Sequence, residues 1–255
     1  MMFDIAIEQE HISHLDGTSE GTQLKYYMNG FWYKIDTCGE GKAEYLVSRL
    51  LTFTDLPTDT YVLYENGWIN HQAGCRSRNF LKPGQELMTL ERLHQYLTGQ
   101  KLSAKRSAFD KMESFIEYTL NFFTTQLGLD LYLYFKRIFS IDYITLNEDR
   151  HFNNLAAISD INIGKFIPAP IFDNGRSLLC GCQGYRDTLS LEENIKRVTA
   201  RPFSGSHKKQ FNYFGIGFKL DQNKAIEWLQ EEEPCLPRDV LLLRLNQIYE
   251  NQLSM

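Results

Sequence analysis

Asp149-Arg150-His151-Phe152-Asn153-Asn154 and, further on, Ile171-Phe172-Asp173-Asn174-Gly175 are the stretches whose reading decides the fold of this chain. The first is a polar loop. It follows residues 131–146 (LYLYFKRIFSIDYITL), which are apolar nearly all round and predict a buried helix. The second ends the later of two short apolar runs, 155–158 and 166–172. They flank Asn162-Ile163-Gly164 and predict a small hairpin. Two acids and an amide therefore converge on one end of a hairpin. Phosphoryl transfer needs such a set: one carboxylate orients the attacking hydroxyl and takes its proton. An amide oxygen and a second carboxylate hold Mg²⁺ against nucleotide phosphates. Positioned cations and the metal stabilise the developing charge.

Upstream, residues 23–36 (QLKYYMNGFWYKID) are two aromatic-rich runs around Asn29-Gly30, the strongest short hairpin signal. Residues 13–22 (SHLDGTSEGT) predict a loop, and its GTSEGT part can present N–H groups and hydroxyls to phosphate oxygens. No Gly-Lys-Ser/Thr follows, so it is not a Walker A loop. Lys34 lies on the second strand of the hairpin, and Glu44 on a helix predicted over 41–53, where they can pair. A strand is expected over 60–64 with a turn at Glu65-Asn66-Gly67, and another turn at Pro83-Gly84. Helices are expected over 89–97, 109–127, 224–231 and 238–253. The coarse picture is α+β: a β-rich lobe over 1–100 followed by a mainly helical lobe over 101–255.

The remaining composition fits that frame. The chain has 255 residues, 43% hydrophobic and 23% charged, as in an ordinary globular protein. Its 27 basic and 32 acidic residues give −5, a poor balance for a nucleic-acid binder. Aromatics reach 13%, which suits either a dense core or an aromatic-lined cleft. Five cysteines with irregular spacing argue for free thiols in a cytoplasmic protein rather than a disulfide framework. The first ten residues carry Asp4, Glu8 and Glu10 and do not read as a leader. No run nears about 18 apolar residues, so no membrane helix is expected.

Asp-x-His-x-x-Asn followed by Phe-Asp-x-Gly resembles the bacterial HipA-like serine/threonine kinases, in particular the compact CtkA-type members that lack an extra N-terminal domain. SEGTQLKYY (19–27) resembles their nucleotide loop, WYKID (32–36) their lysine strand and AEYLVSRLL (43–51) their glutamate helix. SRNFL (77–81) and RPFS (201–204) add to the likeness, which spans residues 13–215. The resemblance implies a two-lobed, protein-kinase-like α+β fold, ATP and Mg²⁺ as cofactors and a protein substrate with a Ser or Thr acceptor, self-phosphorylation included. It leaves room for an antitoxin or other regulatory partner. It implies Asp149 as the catalytic aspartate with His151 beside it. Asn154 and Asp173 match the metal ligands. Ser19, Gly21, Thr22, Gln23, Lys34 and Glu44 match the nucleotide-binding residues. Asp149-Arg150-His151 is also how phosphatidylinositol 3- and 4-kinases write this loop, and the glycine loop lacks the G-x-G-x-x-G pattern. A lipid kinase and a non-catalytic ATP-binding pseudokinase therefore stay open, as does a nucleotidyltransferase.

Several single residues have quieter readings. His151 holds the loop as a buried imidazole or takes part in the chemistry. Arg150 neutralises a nearby carboxylate, and Asn153 tolerates a strained turn. Residues 196–209 contain Lys196, Arg197, Arg201, Lys208 and Lys209 and no acid. They read first as a mobile solvated loop and second as a docking patch for an acidic or phosphorylated segment. Glu231-Glu232-Glu233 reads as a helix end before Pro234.

Overall fold

The computed structural model describes residues 2–8 and 25–253, with side chains to residue 248. The phosphate-loop residues Ser19, Gly21, Thr22 and Gln23 lie outside the described residues. A short strand, β1 (Phe3–Ile5), precedes the expected hairpin of β2 (Lys25–Met28) and β3 (Phe31–Ile35). Asn29 and Gly30 both have positive φ, 52° and 78°, as a type I′ turn requires. Then comes α1 (Glu40–Leu51), whose buried stripe of Ala43, Leu46, Val47, Leu50 and Leu51 follows the 3.6-residue period.

The next segment departs from expectation. Of residues 60–64, only Tyr64 belongs to a strand of the sheet. Thr58–Thr60 is a 3-10 turn, and Tyr61 pairs with Ile171 in an isolated parallel bridge. The strand is β4 (Tyr64–Ile69), and Glu65-Asn66-Gly67 lies inside it rather than turning. Gly67 is required there because β1 runs alongside in parallel register, and a Cβ would strike the Phe3 carbonyl oxygen. The turn comes later, at Asn70 and His71 (φ 50° and 63°), and leads into β5 (Gln72–Arg78). The sheet order is β1-β4-β5-β3-β2, antiparallel except for β1. α1 packs on β4 and β5, and Ser48 Oγ accepts the Tyr64 N–H at 3.0 Å.

After the Pro83-Gly84 turn, β6 (Gln85–Thr89) leaves this sheet for a second one. It pairs with β7 (Ala156–Asp160), which pairs with β8 (Lys165–Pro168). Between them run α2 (Leu90–Thr98), α3 (Leu102–Lys105), α4 (Met112–Leu127) and α5 (Tyr132–Thr145). α6 (Leu191–Ile195), α7 (His207–Phe214), α8 (Gln222–Glu231) and α9 (Leu236–Leu253) complete the chain. The architecture is the expected α+β, with a β-rich N-terminal part and a mainly helical C-terminal part. Among the described residues no helix is long and apolar enough to cross a membrane. All five cysteines are free thiols.

The aromatic share goes largely into the core. Phe115, Phe135, Phe139 and Phe152 all pack edge-on around Phe203, with ring centroids 5.5–5.7 Å apart. Each fully buried phenylalanine contributes roughly 1.5–3 kcal/mol. Phe152 is thus an anchor in the middle of the polar loop, holding Asp149 and His151 at the core's edge. On the far side of α1, Glu232 accepts from Lys42 (2.8 Å), Tyr45 (2.6 Å) and Trp228 (3.1 Å), fastening the end of α8 to α1.

Candidate active site

Two carboxylates, one near in the chain and one distant, meet at Lys34. It stands on β3, with its Nζ 2.8 Å from Glu44 Oε1 and 2.9 Å from Asp173 Oδ1. Glu44 is only 1% exposed, so it is no solvated charge, and its Oε2 accepts the Asn174 N–H at 2.8 Å. Burial opposes the Lys34 charge, but the Asp173 and Glu44 carboxylates outweigh it and hold the ammonium well above the ordinary lysine range. Burial likewise works against the Asp173 charge, yet Lys34 and Lys25 keep its carboxyl well below the usual range. Lys25 sits opposite Lys34 in the β2–β3 register, where burial and the Lys34 charge lower its pKa. Asp173 adopts φ 58°, uncommon for a residue with a side chain, at the end of the segment that Tyr61 and Val62 align through Ile171.

Arg150 ties the polar loop to that segment. Its side chain is fully buried. Nε and Nη2 each donate to Asp142 of α5 at 3.0 Å, Nη1 to the Phe172 carbonyl at 2.8 Å, and Nη2 to Asn174 Oδ1 at 2.6 Å. The carboxylate expected to face Arg150 is therefore Asp142, eight residues earlier on a helix whose sequence reads as apolar.

Within the loop, backbone bonds do most of the holding. His151 N–H donates to the Asp149 carbonyl and Asn154 N–H to the His151 carbonyl, both at 2.8 Å. Asn147 Oδ1 accepts the Asp149 N–H at 2.9 Å, and the buried His207 Nε2 lies 2.8 Å from the Asn147 carbonyl. Neither Asn147 nor His207 stood out in the sequence. The His151 imidazole is half-buried. Its Nε2 is 3.7 Å from Asp149 Oδ2 and its Nδ1 has no hydrogen-bond partner, so the ring does not brace the loop as expected. Asn153 is not in a strained turn, and its Oδ1 accepts from Thr89 Oγ1 at 3.2 Å. Asp149 itself is 39% exposed and reaches Arg201 Nη1 at 3.5 Å.

Asn154 donates through Nδ2 to the Asp149 carbonyl at 2.8 Å, while its Oδ1 is buried and has no hydrogen-bond partner. A buried acceptor left open in this way, together with an ionised Asp173, fits a hard cation. Among the described residues no group of three or more His, Cys, Asp or Glu is arranged to hold a metal. Mg²⁺ takes one or two protein ligands and completes its shell with phosphates and water.

Beside Lys34, the apolar side chains of Phe80, Leu81, Leu87 and Phe172 form a cleft closed at one end by Lys25, Lys34 and Asp173. The cleft is small and open to solvent, with a volume of about 90 Å³. The loop 17–22 that was expected to flank it lies outside the described residues.

Sheet, glutamate helix, lysine strand and polar loop together define a protein-kinase-like fold. A solved structure described as a Helicobacter pylori proinflammatory kinase, CtkA, is similar to this chain with a TM-score of 0.66 and 14% identity, over 96% of this chain and 93% of that one. The likeness is one of fold. No family model matches the chain, and no curated protein matches it.

Proposed function

We propose that this chain is a HipA-like, ATP-dependent kinase that transfers the γ-phosphoryl group to a Ser or Thr hydroxyl of protein, its own residues included. The observation that carries the reading is the partly buried cluster of Lys34, Glu44 and Asp173, joined through Arg150 to the loop bearing Asp149. Lys34 and Lys25 offer two cations to the nucleotide phosphates, and Glu44 keeps Lys34 aimed. Asn154 Oδ1 and the Asp173 carboxylate would hold Mg²⁺, which when bound neutralises phosphate charge. Phe80, Leu81, Leu87 and Phe172 supply apolar faces for a purine ring.

Asp149 receives the acceptor. Its carboxylate orients the hydroxyl and takes its proton as the new P–O bond forms and the bond to the ADP oxygen breaks. Being part exposed, Asp149 can then return the proton to water.

Transfer from γ-labelled ATP in cell extract tests the reading. Asp149→Asn should retain ATP·Mg²⁺ affinity and lose kcat by about 10²-fold or more. Near-normal transfer would remove Asp149 from the chemistry. His151 lies close enough to Asp149 to matter. A larger loss in His151→Ala than in Asp149→Asn would move the base to the imidazole and favour a phosphoinositide-kinase-like acceptor.

A further inference from the structure

Residues 196–209 carry cations and no acids, and around residues 200–205 they are not a loose solvated loop. Phe203 is buried in the aromatic core. Ala200 N–H donates to the Gly205 carbonyl at 3.0 Å, and the buried Gln210 binds both the Phe203 N–H (2.9 Å) and the Arg201 carbonyl (3.0 Å). The backbone is fixed, while Arg201 and Lys209 stay exposed. Both line a groove of about 830 Å³, within the ~300–1,000 Å³ typical of ligand sites. Arg106 forms part of another wall. It is anchored by a 2.6 Å bond to the Phe109 carbonyl, with Asp110 and Glu113 at the start of α4 nearby.

Arg201 joins this groove to the reaction centre. Its Nη1 is 3.5 Å from Asp149 Oδ1, so a group bound to Arg201 lies next to the acceptor oxygen. The ion pair is long and both partners are exposed, at 60% and 39%, so it holds weakly. A carboxylate on an incoming chain can replace Asp149 at the guanidinium with no change in charge and with better, two-pronged geometry. Asp149 is then free to accept the hydroxyl proton. The acids Asp110 and Glu113 on the same groove disfavour a long acidic run, so one carboxylate close to the acceptor is the best match.

Resting on the kinase reading above, we infer that Arg201 is a specificity residue. It reads a carboxylate one or two residues from the acceptor Ser or Thr, with Lys209 reinforcing the charge, and its capture by that carboxylate releases Asp149.

Three fluorescein-labelled serine peptides that differ at one neighbouring position, Glu, Gln or Lys, test this by transfer rate and by binding anisotropy. Wild type should prefer Glu over Gln in kcat/KM by about tenfold or more. Arg201→Gln should abolish that preference, and Lys209→Ala should reduce it. Arg201→Glu should turn it toward the Lys peptide. Transfer to all three peptides at equal rates, or a Glu preference that survives in Arg201→Gln, would overturn the inference and leave the kinase reading intact. No transfer by wild type to any peptide or extract protein would overturn the kinase reading itself. In that case, equal anisotropy for the three peptides would also dispose of the groove.

Discussion

Lys34 is held by two carboxylates and cannot be removed without leaving them together unpaired, Glu44 buried and Asp173 partly so. Taking one partner from a buried ion pair costs about 3–5 kcal/mol. Lys34→Met should therefore lower stability in urea as well as ATP affinity, and it is more than a binding variant. Glu44→Gln should recover part of the loss, because coupled neighbours share interaction energies of about 0.5–3 kcal/mol. Losses that simply add in the double variant would contradict the coupling. The pairing of Lys34 with Glu44 was legible in the sequence because strand and helix periodicities place both residues. The third partner was legible only as a metal ligand: nothing local links Asp173 to Lys34, since 138 residues separate them along the chain. Arg150 was visible but its partner Asp142 was not, because a single acid in an apolar run carries no sign of which way it faces.

At the scale of elements, the start of α1 is secured in an unusual way. Gly39 occupies the N-cap with φ 86° and offers no side chain. Asp36 reaches over instead, with Oδ1 accepting the Gly41 N–H at 2.7 Å, and Glu40 accepts from the Thr37 and Cys38 N–H groups at 2.9 and 2.7 Å. Burial, with Glu40 and Glu44 nearby, pushes the Asp36 carboxyl up to about 6. The folded chain thus holds this proton more tightly than the unfolded chain, whose ordinary value is 3.8. That contribution to stability is full below about pH 4 and is lost as pH rises through about 6. Asp36→Asn keeps an oxygen for Gly41 without the charge. Its gain in Tm over wild type should be largest near about pH 7.5 and should fade toward about pH 4. A gap that does not vary with pH would mean that Asp36 titrates normally.

The elements that were readable had local signals: Asn-Gly for one hairpin, apolar stripes for α1, α2 and α4, an apolar run all round for α5, and a Gly turn between β7 and β8. The β4–β5 hairpin was missed because Asn70-His71 makes the same turn without a glycine. β6 was missed because only pairing with β7, some 70 residues on, makes it a strand. β1 is three residues in an acidic stretch and needs β4 beside it.

For the whole molecule, nucleotide binding should appear as thermal stabilisation. A ligand that binds only the folded state at 100 times its Kd adds about 2.7 kcal/mol. ATP with Mg²⁺ should raise Tm more than ATP alone. Asp173→Asn should remove most of that Mg²⁺-dependent increment, and an undiminished increment would exclude Asp173 as a ligand. The clasp between Glu232 and α1 has a practical consequence for such work. α8 and α9 contain none of the candidate site residues, and they look like a dispensable tail to anyone trimming the chain by protease or deletion. Yet they press on the outer side of the helix whose inner side bears Glu44. A chain cut after α7 would keep every group named in the site and lose the splint that keeps α1 in place. Its failure to turn over would report a bent lever rather than a missing binding region.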